Sequence, residues 1–327
     1  MIDRYSRHRQ YAIVLIAAAT FLLPDCAFAQ PAAPAYPSKP VRVIVGLAPG
    51  GAIDVQARWI AQKLTENLGR QFIIDNRAGA GGLIAFQLTA NAPPDGYTLV
   101  AASPALTIAP ALQENVALDP VHDLAPISLV IRAPHVVVVI PSFPANSMQE
   151  FIAYARARPN QVLVGASGRT AIHMGAMWLA RATNIEVTFV TYKGNAPVLT
   201  DMLAGQLHAT LSNIISARPL LKSGRLRALA VTTLQRSSVL PDLPTVAESG
   251  VPGFNVESWH GWLAPKATPR PIVMLLYRAL AGAVGSADIA EKLAADGAIG
   301  IAGSPDEFGR HIAQDIVRWK AVAGKIN

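Results

Sequence analysis

Cysteine is almost missing from this sequence, since Cys26 is the only one in 327 residues. That scarcity excludes a disulfide framework and any cysteine-rich metal cluster. Aromatic residues are sparse at 6%, and the formal charge of +7 is spread along the whole length. So thin a basic balance, without aromatic interleaving, argues against a surface that tracks nucleic acid. Charged residues are only 15% against 51% hydrophobic ones, which excludes disorder and supplies a large core, with a length that suggests about two domains. Long apolar runs are missing beyond the first thirty residues, so no later segment is expected to span a bilayer.

The N-terminus holds the one such run. Arg4, Arg7 and Arg9 precede apolar residues 11–23, and Ala27-Phe28-Ala29 follows. This pattern reads as a secretory signal peptide over residues 1–29, cleaved near Ala29. The run is short of the ~20 residues a spanning helix needs, and Pro24-Asp25 closes it. Pro24-Asp25 before Cys26 also fits poorly with lipoprotein processing. A freely soluble periplasmic protein, monomeric and stabilised by its core alone, is the expectation.

Residues 30–40 are rich in proline and alanine and read as an extended leader. After them short β-branched runs alternate with longer helical segments, the pattern of α/β layering. Val41-Arg42-Val43-Ile44-Val45 reads as a buried strand, and Ile53, Ala57, Ile60, Ala61, Leu64 and Leu68 fall on one helical face. Further strands are expected at 72–74, 97–100 and 136–140. Ser147 and Glu150 have the spacing of a capping box.

Positions 43–61 align without gaps onto 162–180, with identities that include Val45/Val164, Gly46/Gly165, Ala52/Ala171 and Trp59/Trp178. Each half would then carry a strand, a tight loop and a helix. Two such units facing one cleft favour an anion, because first-turn N–H groups lack intrahelical partners and the helix dipole is positive there. Gly50 and Gly51 either let backbone approach a ligand or only make the turn; both readings stand at this point.

The charged and polar candidates have two readings each. Asp54, in the first helical turn, either stabilises the dipole and orients the loop or accepts from a ligand donor. His173, its counterpart in the second half, either donates to a carboxylate or is a satisfied structural histidine. Arg169 and Thr170 suit carboxylate recognition. Gly165-Ala166-Ser167-Gly168-Arg169 nearly reads as a nucleophile elbow, but Arg169 stands where the second glycine belongs, which counts against a hydrolase using Ser167. Gly79-Ala80-Gly81-Gly82-Leu83-Ile84 departs from a dinucleotide loop at Ile84. The histidines show no metal-ligand spacing, so neither metal nor cofactor is expected. Lys222, Arg225 and Arg227 read as a solvated helix end.

Several segments in this order carry a resemblance: Ala48-Pro49-Gly50-Gly51 with Asp54, Asn76-Arg77 with Gly79-Ala80-Gly81-Gly82, Pro94-Asp95-Gly96-Tyr97, and Tyr192-Lys193-Gly194 with Ala196-Pro197. They continue in Leu240-Pro241-Asp242-Leu243-Pro244-Thr245 and Trp259 with Gly261. From about Tyr36 onward the chain resembles the Bug family, the extracytoplasmic solute receptors of tripartite tricarboxylate transporters. The resemblance implies an α/β, two-domain periplasmic binding protein of the type II Venus-flytrap kind, with mixed sheets and a ligand cleft between lobes. Lobe 1 would hold residues 36–138 and 259–327, and lobe 2 residues 139–258.

Carried over by position, the resemblance points to Ala48, Pro49, Gly50, Gly51, Asp54 and Ser103 in the first lobe. In the second it points to Ser167, Gly168, Thr170, His173, Tyr192, Lys193 and Gly194. The loop before His173 is one residue shorter than the family pattern, and Arg169 replaces a glycine, adding a direct cationic contact. Ser212 stands where an acidic residue is common, which disfavours a ligand ammonium. Leu83, Ile84 and Trp262 hint at an apolar or aromatic ligand body. A receptor that captures a small organic anion and delivers it to a permease of one large and one small subunit follows, with no bond made or broken. A sensor presenting its closed form to a membrane kinase is the alternative.

Overall fold

Val41–Val45 (β1) is apolar except at Arg42, and a strand of that composition must be covered on both faces. In the computed structural model, which describes residues 36–112, 117–167, 170–192 and 194–324, it is. β1 runs parallel between Phe72–Asn76 (β2) and Thr98–Ala102 (β3), with Val43 opposite both Ile74 and Leu99. The helix Ala52–Leu68 (α1) buries Ile53, Ala57, Ile60, Ala61 and Leu64 on one face, as the spacing predicts. It stops at Gly69, whose φ of 67° lets its N–H bond back to Thr65 O. Leu83–Ala90 (α2) and Ala105–Ala111 (α3) complete this group.

The same plan recurs. After Met148–Ala157 (α4), Leu163–Ser167 (β5) runs parallel between Thr188–Tyr192 (β6) and Ala209–Asn213 (β7). Ala171–Ala182 (α5), Asn195–Leu203 (α6) and Ile214–Lys222 (α7) accompany these strands. α1 and α5 start at aligned positions, Ala52 and Ala171, but β1 ends at Val45 and β5 at Ser167, so the gapless alignment holds for the helices and fails for the strands. The shared glycine pair has two different causes. A Cβ on Gly46, after β1, would come within 2.6 Å of Gly82 Cα; one on Gly165, inside β5, would meet Val198 Cγ1 at 2.4 Å.

Leu124–Val139 (β4) and Glu257–Pro265 (β9) join the two groups. The strand order is β2-β1-β3-β9-β4-β7-β5-β6, with Arg227–Val231 (β8) and Ile299–Gly303 (β10) also on β4. β4 pairs with β9 from Leu124 to Pro134 and with β7 from His135 to Val139, so one strand serves both groups. The sequence-predicted strand at 136–140 is the tail of this longer one. Val136 and Val138 pack on α6 and α7 residues, whereas Val137 and Val139 face a cluster with Phe151, Leu179 and Trp319. Each valine fully buried in this way contributes roughly 1.5–3 kcal/mol.

The chain closes with Arg270–Val284 (α8), Ala287–Ala295 (α9) and Pro305–Ala323 (α10). Among the described residues no single helix is long and apolar enough to cross a membrane.

Two local expectations need correction. Ser147 does accept from Glu150 N–H, but the Glu150 carboxylate reaches Asn146 N–H rather than that of Ser147, because Ser147 is extended at φ −140°. The reciprocal box is instead Ser304 with Glu307, at the head of α10. Arg227 is no solvated helix end: it lies in β8 and donates to the carbonyls of Pro141, Phe143 and Ala145.

Candidate functional site

Register along β4 fixes where the loops point. Ala102, the end of β3, lies opposite Gly261, which lies opposite Leu129. Asn213, the end of β7, lies opposite His135. β3 runs with β4 and β7 against it, so the carboxyl ends of the two parallel groups face one another across about six residues of β4, roughly 20 Å. Crevices at carboxyl ends of parallel strands are where open α/β sheets receive ligands.

On the first side the loop 46–51 projects into this space, with Ala48, Pro49, Gly50 and Gly51 all exposed. Asp54, only 2% exposed, holds the loop from behind. Its carboxylate accepts from Gly50 N–H at 2.8 Å, Asn76 Nδ2 at 2.9 Å and Arg58, with Nη2 at 2.9 Å from Oδ1. Asn76 also donates to Leu47 O and accepts from Arg58 Nη2. Burial alone would raise the Asp54 pKa, but the Arg58, Gly50 and Asn76 hydrogen bonds and the Arg58 charge outweigh it and hold the carboxyl below its ordinary value.

Asp54 is therefore ionised and engaged with the loop and helix. Gly51, the N-cap of α1, has no side chain to offer the first-turn N–H groups. Gly50 sits at φ 83°, where a β-carbon is strained. Ser103 follows β3 directly, its carbonyl accepting from Leu106 N–H as α3 begins.

The glycine run beside this loop is a packing device. Gly79, Gly81 and Gly82 all have positive φ, and Gly82 lies against Gly46. Ile84 is 43% exposed and Leu47 40%, so apolar surface does flank the first loop. Trp262 departs from expectation: it is 1% exposed, because β9 is covered on both faces, and adds nothing to a ligand surface.

On the second side Gly168, Arg169 and Lys193 lie outside the described residues, as does the side chain of Ser167, the last residue of β5. Thr170 is exposed and caps α5, its hydroxyl accepting from His173 N–H at 3.5 Å. The half-buried His173 ring lies 5.7 Å from that of Phe189. Tyr192 gives its hydroxyl to Asp201 at 2.5 Å, a bond to a carboxylate that raises the phenol pKa. Gly194 heads α6 at φ 151°. Ser212 is fully buried, accepting from Asn195 Nδ2 and donating to Asn213 O.

Arg58 and Asn76 support the first loop, a role that sequence reasoning missed. The i,i+4 spacing of Asp54 and Arg58 was a usable signal. Asn76 was visible only as part of a motif. No cluster of metal-binding side chains occurs among the described residues.

Comparison with known proteins places this geometry. Residues 56–327 match the model of the tripartite tricarboxylate transporter family receptor. Protein BugT of Bordetella pertussis is 36% identical over 88% of this chain and 89% of its own. A solved R. palustris protein with adipate is 38% identical at a TM-score of 0.81, over 89% of this chain and 98% of that one. MatC from Rhodopseudomonas palustris with bound malate is 31% identical at a TM-score of 0.78, over 88% and 100%. These are two-lobed α/β solute-binding proteins and not enzymes, which leaves the Ser167 hydrolase reading without support. The chain belongs to the tripartite tricarboxylate transporter family receptors.

Proposed function

We propose that this receptor captures a small carboxylate, mono- or dibasic with an apolar body, between two lobes in the periplasm and hands it to a membrane permease. The observation that carries this reading is the register on β4, which turns two strand–loop–helix units toward one space. The exposed backbone of Ala48 and Gly51, with the open head of α1, supplies donors on one side, while Pro49, which has no N–H, and Gly50, whose N–H goes to Asp54, shape the loop. On the other side stand Thr170, His173, Tyr192 and Gly194, and the resemblance adds Ser167, Gly168, Arg169 and Lys193. Relatives solved with adipate and malate support a dicarboxylate.

The lobes in this reading are residues 36–138 with 259–327, and 139–258. β4 and β9 form the hinge, and ligand that bridges both loops shifts the population toward closure by its differential affinity for the closed state. Residues 1–29, outside the described residues, are the export signal. The permease has one large and one small subunit, and the receptor acts as a monomer.

A thermal-shift panel tests the reading. Adipate, malate and shorter mono- and dicarboxylates are expected to include one that raises the midpoint, since ligand at ~100 times its Kd adds about 2.7 kcal/mol. Stabilisation by an uncharged solute and by none of the acids would overturn it.

A further inference from the structure

Asp315 of α10 is 3% exposed and lies away from the loops described above. Its carboxylate accepts from Thr107 Oγ1 at 2.6 Å, Trp319 Nε1 at 3.1 Å and Trp259 Nε1 at 3.2 Å, and from Arg318 Nη2. Thr107, Trp259 and Trp319 converge on Oδ2 and Arg318 on Oδ1, and the Thr107 hydroxyl also lies 2.9 Å from Pro104 O, to which its one hydrogen can turn instead. A buried acid held this way is a strong junction, because losing any partner leaves charge or a donor unpaired in an apolar site.

The donors come from three elements, α3, β9 and α10. Thr107 lies in α3, which begins just after Ser103, on the proposed ligand cleft. Trp259 lies in β9, opposite Arg132 of β4, two residue pairs before the β4–β9 ladder ends at Pro134–Glu257. Trp319 and Arg318 lie on α10 itself, and Arg318 Nη1 also donates to Asn255 O on the approach to β9.

α10 passes from one core to the other. Phe308 and Ile312 pack with Trp259 and Leu263, whereas Trp319, Val322 and Ala323 pack with Val137, Phe254 and Leu179. α3 does the same, with Leu106 in the first cluster and Ile108 and Ala111 in the second. These two helices therefore lie alongside the hinge strands and bridge what those strands join.

We infer that Asp315 is a positioning residue for ligand capture: all its donors lie in lobe 1, where it ties the Ser103 end of the cleft to the hinge strand and to α10, whose far end is seated in the second core. Movement of the halves then moves α3, and Ser103 with it. The inference rests on the capture reading for its purpose, but its mechanical content does not need a ligand.

The test uses spin labels at Asn67→Cys and Gln161→Cys, exposed positions in the two halves, in a Cys26→Ser background. Thr107→Val removes one donor with nearly unchanged volume, and Asp315→Asn removes the charge. Thr89→Val is the control, since Thr89 is also fully buried but bonds only its own helix at Ala85 O. Thr107→Val is expected to broaden or shift the ligand-free distance distribution and to weaken adipate binding about tenfold, the scale of one charge-assisted hydrogen bond. Thr89→Val is expected to lower the melting point while leaving distance and affinity unchanged.

If Thr107→Val behaves like Thr89→Val, with an unchanged distance distribution, the inference is wrong and Asp315 is a structural acid. Asp315→Asn, should it fold, is expected to give the larger shift. If an uncharged solute but none of the acids in the panel stabilises the unaltered chain, the capture reading fails on that result, while the distances still decide whether Asp315 ties α3 to the hinge strand.

Discussion

The two loops that face each other across β4 are built differently. The first spans residues 46–51 and is gripped by Asp54, Asn76 and Arg58, while the head of α1 has no side-chain cap. At the second, the head of α5 is already occupied by Thr170, through a long bond of 3.5 Å. The first side is thus a fixed set of backbone donors whose shape is set from behind. The second has one of its first-turn donors, the His173 N–H, already given to Thr170. Rigidity is an advantage in capture, because donors already in place cost little entropy to use.

The sharpest break of this contrast is at Gly51. A Cβ there meets nothing nearer than Ala48 O at 3.6 Å, so Gly51→Phe is tolerated by the backbone and projects a ring over the loop. Calorimetric binding is expected to vanish, with the melting point within a few degrees of the parent; retained affinity would remove the loop from the site.

Asp54→Ala comes next. It leaves Gly50 N–H, Asn76 Nδ2 and Arg58 without their acceptor, at a cost on the order of 3 kcal/mol in denaturant unfolding. Weakened binding should accompany the loss, and an unchanged denaturation midpoint would show that the loop holds itself.

Acid should separate the loop clamp from the hinge. His135 and His260 are buried with pKa values pushed down to about 4 by desolvation. Their folded forms bind fewer protons than unfolded ones, whose ordinary value is 6.5. Stability is then complete above pH 6.5 and falls toward pH 4, by on the order of 3 kcal/mol for each histidine. Glu257, whose pKa burial raises, acts with the opposite sign: its stabilisation is complete below the unfolded value and fades as pH rises through the folded one.

Asp54 has a lowered pKa, so its contribution is present above the ordinary carboxyl value of 3.8 and is lost only below it. His135→Leu, which removes a ring whose two nitrogens have no partner, is expected to raise the melting point more at pH 5 than at pH 8. An equal shift at both would contradict the assignment.

Thr170→Ala is the smallest change. Removing an N-cap typically costs about 1 kcal/mol, and the length of this bond places it at or below that figure. Its stability loss should be well under that of Asp54→Ala, as read by chemical denaturation. A comparable loss would mean that the two loops are held alike.

Much of this was legible in the sequence wherever local pattern decides. Val41–Val45, the buried face of α1 and the facing loops follow from apolar periodicity and from two related segments. What escaped depends on partners distant in the chain. Thr107 and Asp315 are 208 residues apart, and Trp262 looks like a ligand-facing ring until the pairing of β9 with β3 and β4 covers it. The three-residue slip between β1 and β5 was hidden because glycines required for unrelated contacts, Gly46 and Gly165, aligned by coincidence. Ser147 shows the same limit on a small scale, since the Glu150 carboxylate found the neighbouring N–H of Asn146.

The central claim is that the facing loops recognise negative charge. Calorimetric titration of the receptor with adipate and with its uncharged diamide, at equal concentration and salt, tests it most directly. Capture by backbone donors and helix heads predicts saturable binding of the acid, with the diamide weaker by about two orders of magnitude. Equal affinity for the two, or binding of the diamide alone, would contradict it.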